Sequence, residues 1–373
     1  MSDADAEPKR GNYVSEWLGH RVYPVVAETR QTLEDQKQKR CPFLSEATTE
    51  DKLCVKPASS LGICTISSTS AGKRQDWLVC PYRALDKALL DDVARRLFRV
   101  SRKKSVVVLP APTLALESVR ASFLKRLSEG AVGVVYLQDK LGGEISITPT
   151  DRSPELAFDV TMVRVAIRKG AVGLGQYGIL EVQTMDFHGS YRAVVKNLED
   201  ALRLHGRDFH RELRKSPQWL SQKIEGPNIA NVFKRTFYQI MLKFQIGADE
   251  SCAGCVLALP VSVWDSWQRH LGKPDLKANK DGTYSLDWKG GPKKPVPAWI
   301  YLFDLDISAT TSPNPLVLRR VIATDANSMA HFALKIAPEA AVAGAGSADR
   351  VLATVRRRVA AWWPELGRGP VKI

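Results

Sequence analysis

The stretch from Tyr177 to Tyr191, YGILEVQTMDFHGSY, constrains the fold more than any other. Ile179, Leu180 and Val182 favour a strand, Gly189 breaks the run, and a helix-like pattern starts at Tyr191. Glu181 sits inside the apolar run with Gln183 two residues on, so strand alternation puts both side chains on one face. A carboxylate buried in such a strand is costly without a partner. The preceding apolar segment, LAFDVTMVRVAI, carries Asp159 in the same misplaced way. One carboxylate on each of two neighbouring strands is the pattern of a hard-cation site, since Mg²⁺ is held by one or two carboxylates together with phosphate and water. The bland alternative is two strand-edge acids that reach solvent or pair with arginine.

Around that pair the chain reads as α/β. Periodicity predicts helices at 83–104, at 191–204, over 229–244 and over 263–271. A further helix should begin at Thr113, with an apolar face of Leu116, Val119, Phe123 and Leu127 and Gly130 ending it. Strands are expected near 106–109, 131–137, 144–148, 156–167, 177–184, 256–259, 298–305 and 316–323, with a hairpin at Asp281-Gly282. In the helix over 229–244, Phe233, Phe237, Ile240, Met241 and Phe244 line one side, while Lys234, Arg235, Tyr238 and Lys243 fall on the other. The last helix should turn Val351, Val355, Val359 and Trp362 inward and Arg356, Arg357 and Arg358 partly outward.

Residues 1–12 read as a flexible tail, 13–82 as an irregular module, and 83–373 as the α/β domain. The module holds Cys41, Cys54, Cys64 and Cys80. A segment with so little periodicity needs another source of order, which four thiolates around one metal would supply; the alternative is four scattered buried thiols.

Lys and Arg outnumber Asp and Glu by 54 to 40, for a formal charge of +14. That surplus favours a polyanionic partner, nucleic acid first and an anionic membrane second. No apolar run approaches the roughly 18 residues needed to span a bilayer. The opening MSDADAEPKR fits neither a signal nor a transit peptide, so a cytoplasmic chain is expected, with its cysteines as thiols or metal ligands. GLGQYG (173–178) matches the dinucleotide fingerprint formally, but a strand follows it instead of a helix, so it reads as a flexible turn between two strands. Cys252 and Cys255 have no second pair nearby and read as small hydrophobes at a strand start. In the loop after Glu181, His188 has no nucleophile to serve, and Asp186 stays open as a helix cap, a base reader or a third metal ligand.

The order of Asp159, then Glu181-Val182-Gln183 on the next strand, then a helix resembles the PD-(D/E)xK nuclease superfamily, whose core is a mixed central sheet flanked by helices. The strings CPFL (41–44), DWLVCP (76–81), KLGGEISI (140–147), QTMDFHGSY (183–191), EGPN (225–228) and NVFKRTFYQ (231–239) are similar to NotI-like type II restriction endonucleases, and the similarity covers most of the chain. The resemblance implies a homodimeric, Mg²⁺-dependent enzyme of a restriction-modification system. It would make double-strand cuts in double-stranded DNA at a palindrome built wholly of G·C pairs, GCGGCCGC or its CGGCCG core. A cognate DNA methyltransferase in the host would be a functional, not a physical, partner.

The resemblance further implies that Asp159 and Glu181, with the carbonyl of Val182, hold Mg²⁺. Glu144, in the KLGGE string, is preferred over Glu155 as the additional acid. It also implies an iron site at Cys41, Cys54, Cys64 and Cys80, where thiolate chemistry alone would accept zinc. Two positions depart from the superfamily: Gln183 replaces the usual lysine and can orient water without carrying charge, and Phe158 replaces the proline before Asp159. Candidate base readers are Lys234, Arg235, Arg192 and His188, although phosphate contact is the commoner fate of a basic residue. Two other classes remain, a non-catalytic sequence-specific DNA-binding protein and a structure-specific nuclease of the same fold.

Overall fold

The structure, a computed structural model, describes residues 11–24, 29–70, 72–222, 224–287, 295–344 and 347–367. The expected tail lies outside the described residues apart from Gly11 and Asn12. The strands in chain order are β1 Tyr13–Trp17, β2 His20–Arg21, β3 Ile63–Ser70, β4 Lys73–Leu78, β5 Val106–Pro110, β6 Val132–Gln138, β7 Ile145–Ile147, β8 Leu156–Phe158, β9 Val160–Arg168, β10 Ala171–Val182, β11 Cys252–Pro260, β12 Lys277–Ala278, β13 Tyr284–Ser285, β14 Ala298–Leu305 and β15 Leu316–Thr324. The helices are α1 Arg30–Gln38, α2 Pro42–Thr48, α3 Lys87–Leu97, α4 Glu117–Ser128, α5 Arg192–His205, α6 Phe209–Lys215, α7 Ile229–Ile246, α8 Val261–Trp267, α9 Ala326–His331, α10 Ala337–Ala343 and α11 Ser347–Ala360.

The fold is α/β around a mixed sheet of nine strands in the order β12-β13-β15-β14-β11-β10-β9-β6-β5. At its centre β9 and β10 form an antiparallel hairpin, and β10 runs parallel to β11 after a crossover through α5, α6 and α7. Strands covered on both faces read as continuous apolar runs, and the middle of the sheet does so. Ile179, Leu257 and Leu259 face the layer of α5, α7 and α8, while Leu180, Val256 and Ala258 face α3. Alternation therefore turns Glu181 toward α7. Among the described residues no helix is long and apolar enough to cross a membrane.

A second, four-stranded sheet, β2-β1-β3-β4, is formed by the N-terminal segment. Trp17, Ile63 and Trp77 share a core with Phe209 and Leu213 of α6, whereas Cys41, Cys64 and Cys80 share one with Leu89, Val93 and Leu97 of α3. Polar links reach further along the chain. Arg21 Nε donates to Asn314 Oδ1 (3.2 Å), the Arg83 guanidinium donates to the Asn314 carbonyl, and His20 Nδ1 lies 2.7 Å from Ser312 Oγ.

Several elements differ from their expected form. The expected strand over 156–167 is broken at Asp159, where β8 turns away to pair with β7. GLGQYG is part of β10, paired with β9, and not a turn; the turn is Lys169-Gly170, where both residues have positive φ. The helix expected at 83–104 covers only 87–97, because Asp86 caps it (Leu89 N–H to Oδ1, 3.0 Å) and a positive φ at Arg99 ends the run. Thr113 lies in a 3-10 turn, and α4 starts at Glu117 with Leu116 as its exposed N-cap and Phe123 as its buried side chain. Val351, Val355, Val359 and Trp362, expected inward, are exposed.

Candidate active site

The break between β8 and β9 places Asp159 at a corner beside the end of β10, where Leu180 pairs with Val160. The two carboxylates then clasp each other's strands. The Asp159 N–H donates to Glu181 Oε1 (3.2 Å), and the Val182 N–H donates to Asp159 Oδ2 (2.9 Å). Both line one cavity of about 220 Å³, together with Val182, Gln183, Thr184, Arg235, Thr236, Gln239 and Pro81. Gln183 continues the pairing past the end of β10, its N–H donating to the Ala258 carbonyl (2.9 Å). Its amide is held by the Thr236 hydroxyl, which donates to Oε1, and by the Thr184 carbonyl, which accepts from Nε2.

Glu144 follows the Gly142-Gly143 turn and is exposed. It lines an adjoining cavity of about 160 Å³ with Asp159, Asp139, Gln138 and Pro81. Four carboxylates, Asp139, Glu144, Asp159 and Glu181, therefore border two cavities that share Asp159. Burial, then the charge of Asp159, pushes the Glu181 pKa up to about 8, against the pull of Lys243. Burial raises Asp159, opposed by the Val182 N–H and Lys243. Glu144 is raised by burial and by the charges of Asp159 and Asp139. Such a cluster holds protons more tightly than isolated acids do, and a divalent cation would displace them.

Lys243, expected on the outward side of α7, is 3% exposed and its ammonium donates to Glu181 Oε2, with the Phe158 ring 5.9 Å away. The signal was present: Val232, Thr236, Ile240 and Lys243 recur at helical spacing, and the first three are buried. An aliphatic stem lets lysine cross an apolar layer and deliver its charge at the far end.

Of the candidate base readers, Arg235 lines the first cavity, while Lys234 lies on the same helix and His188 and Arg192 lie in and just after the loop that follows β10. Phe187 bridges to Pro227, the His188 N–H donates to the Gly226 carbonyl (3.1 Å), and the Asn228 N–H donates to the Asp186 carbonyl (2.8 Å). This pins the loop after β10 to the start of α7. His188, Arg192, Lys234 and Arg235 are all exposed there. Asp186 accepts from Arg235 (2.6 Å), an ion pair that is none of the three roles left open for it.

The four cysteines of the N-terminal module lie in one neighbourhood. Cys41 and Cys80 each precede a proline that opens a helical turn. Burial pushes the Cys41 pKa up to about 12, against the weaker pull of the N–H groups of its turn. The Cys64 thiol donates to the Gly62 carbonyl (3.4 Å). Its interaction with Cys80 lowers the Cys80 pKa to about 6, while Cys64 itself is pushed well up by Cys80 and by burial. Cys41 lies close enough to Cys80 and Cys54 to feel their charge. Among the described residues, however, no three His, Cys, Asp or Glu side chains close into a ligand sphere. Cys252 and Cys255 are buried at the start of β11, as small apolar residues would be.

No protein-family model matches the chain, and no curated protein matches it significantly.

Proposed function

We propose that the chain is a Mg²⁺-dependent deoxyribonuclease of the PD-(D/E)xK type, of the NotI-like restriction class, that hydrolyses phosphodiesters in double-stranded DNA. The observation that carries this reading is the reciprocal clasp of Asp159 and Glu181 at the wall of one cavity. Two oxygen-bearing acids, one raised to a pKa of about 8, fit a hard divalent ion whose remaining positions go to water and phosphate. Asp159, Glu181 and the Val182 carbonyl would hold that ion, with Glu144 serving the adjoining cavity. When bound, Mg²⁺ supplies Lewis acidity and positive charge at the scissile phosphate.

The protein side chains do the rest. Gln183, fixed by Thr236 and Thr184, presents its amide at the cavity wall and orients water there. Lys243 supplies the positive charge that Gln183 lacks and keeps Glu181 turned toward the cavity. Arg235 at the cavity wall, with the exposed Lys234, Arg192 and His188, would face a bound duplex, where arginine and lysine can fork onto guanine O6 and N7. A G·C-only palindrome, GCGGCCGC or its CGGCCG core, suits that donor-rich set. Cutting both strands of a palindrome takes two copies related by a two-fold axis.

The cysteine cluster fits a thiolate-bound iron or zinc through its four soft sulfur donors: Cys80, with its pKa lowered to about 6, offers a thiolate, and a metal would displace the proton that burial holds on Cys41. Pro81, the residue after Cys80, lines both acidic cavities, so that cluster would frame the site without entering the chemistry.

The test is digestion of mixed plasmid DNA with Mg²⁺. Discrete bands support the reading, a smear indicates a structure-directed or unspecific nuclease, and intact plasmid with retained DNA binding indicates a non-catalytic binder. Glu181→Ala should abolish cleavage while leaving DNA affinity within a few-fold.

A further inference from the structure

The C-terminal arm is at odds with its own sequence pattern. The stripe of Val351, Leu352, Val355, Val359 and Trp362 has the spacing of a core-facing helix. Yet Val351 is 63% exposed, Val355 48%, Val359 36% and Trp362 91%. Within the chain α11 packs with α10 and the closing turn Pro364–Gly367. Leu352 (49%) and the neighbouring Trp363 (58%) are exposed as well, so the apolar residues of the arm form one continuous uncovered stripe, and large exposed apolar patches mark interaction surfaces. Surface of that composition is made to be covered.

We infer that α11 is the surface on which two copies of this chain pair, as an antiparallel helix pair across a two-fold axis. Charge selects this occupant. Leu352, Val355 and Val359 alternate spacings of three and four residues, which makes a coiled-coil seam with flanking positions suited to ion pairs. Asp349 and Arg356 are one heptad apart and flank that seam on the same side. In an isologous contact each patch meets itself, so antiparallel pairing sets Asp349 of one copy beside Arg356 of the other, twice over. A duplex would offer the arginines phosphate but would leave the valines and Trp362 uncovered. The choice of a second copy rests on the two-fold reading of the proposed function; the uncovered seam itself does not.

The experiment is sedimentation of the full chain, without DNA or Mg²⁺, from nanomolar to tens of micromolar. The wild type should run at twice its 41.3 kDa chain mass. Val355→Glu should weaken self-association at least 100-fold with an unchanged circular dichroism spectrum. Asp349→Arg should weaken it about tenfold, and Asp349→Arg with Arg356→Asp should restore it to within about threefold, because the reversed pair again faces its complement. Because Asp349 is exposed and Arg356 only half-buried, the pair remains informative even if Val355→Glu disturbs the helix. A monomeric wild type, a Val355→Glu chain that dimerises normally, or a double reversal that fails to restore association would each overturn the inference. A dimer that dissociates as described but cuts no DNA would leave the inference standing and remove the nuclease reading. If both hold, Val355→Glu should nick one strand at concentrations where the wild type cuts both.

Discussion

Glu181 sits between opposed influences. Burial and the neighbouring Asp159 charge drive it toward its neutral form, while the Lys243 ammonium pulls it back, and the balance leaves its pKa at about 8. A glutamate raised from 4.5 favours the folded state most where both states are protonated, below about pH 4.5, and that contribution is lost as pH rises through 8. The metal-free chain should therefore lose thermal stability between about pH 5 and 8, and Glu181→Gln should flatten that slope. If the two melting profiles run parallel across this window, the carboxylate is ionised earlier than its surroundings dictate. Lys243→Met removes the pull, so Glu181 should ionise at still higher pH. The onset of Mg²⁺-dependent cleavage should then move alkaline by about one pH unit, with activity at pH 7 reduced on the order of 10–100-fold. A pH–rate profile checks this, and an unshifted onset would show that Lys243 serves packing alone. Both carboxylates were legible in the sequence because an acid inside an apolar strand is conspicuous. Lys243 was not, because a single lysine among α7's exposed basic residues is distinguished only by which face it shares.

Most strands and long helices announce themselves by period, while the junctions that aim side chains do not. β8 and β9 read as one strand, since nothing in LAFDVTMV marks Asp159 as a corner, and the corner exists because β8 pairs with β7 instead of continuing beside β10. GLGQYG looked like a turn for the opposite reason: glycine-rich strands carry no periodic signal, and only pairing with β9 holds this one extended. Its glycines are not equivalent to others in the chain. A Cβ on Gly247, at the end of α7, would lie 2.5 Å from the Pro297 carbonyl oxygen and 2.9 Å from the Cys255 nitrogen, both backbone atoms that cannot swing away. Gly247→Ala should cost about 1–3 kcal/mol in urea unfolding and, by tilting α7, should reduce cleavage beyond what the stability loss explains. Gly173→Ala meets nothing within 4 Å and should lie within about 0.5 kcal/mol of the parent. Equal losses at the two positions would mean that the end of α7 is free to shift away from β11.

At the scale of the whole molecule, net charge was the most legible property and strand order the least. A charge of +14 can be counted, whereas the adjacency of β13 to β15 or of β11 to β14 depends on pairings between distant segments that no local pattern encodes. The N-terminal module shows the same division. Its four cysteines stand out in the sequence, but their tie to the acidic cavities runs through Pro81 and through the Met185 N–H, which donates to the Leu78 carbonyl (2.8 Å) at the end of β4. Through these links the module anchors the loop that follows β10. A thiolate-bound metal there would stabilise the fold by part of the ~10–16 kcal/mol seen for small structural zinc sites, the remainder being replaced by the apolar core that Cys41, Cys64 and Cys80 share with α3. Cys64→Ser should thus lose the bound metal, lower unfolding free energy by about 3 kcal/mol or more, and loosen target choice by freeing the 183–191 loop. Cleavage chemistry at permissive temperature should fall less than tenfold, because Glu181 and Lys243 belong to the main sheet and α7 and Asp159 sits at the start of β9. Elemental analysis with a digest of a single-site plasmid decides it: a variant that keeps its metal and its cutting pattern would remove the cluster's framing role, and one that loses all cleavage while remaining folded would place the cluster inside the chemistry.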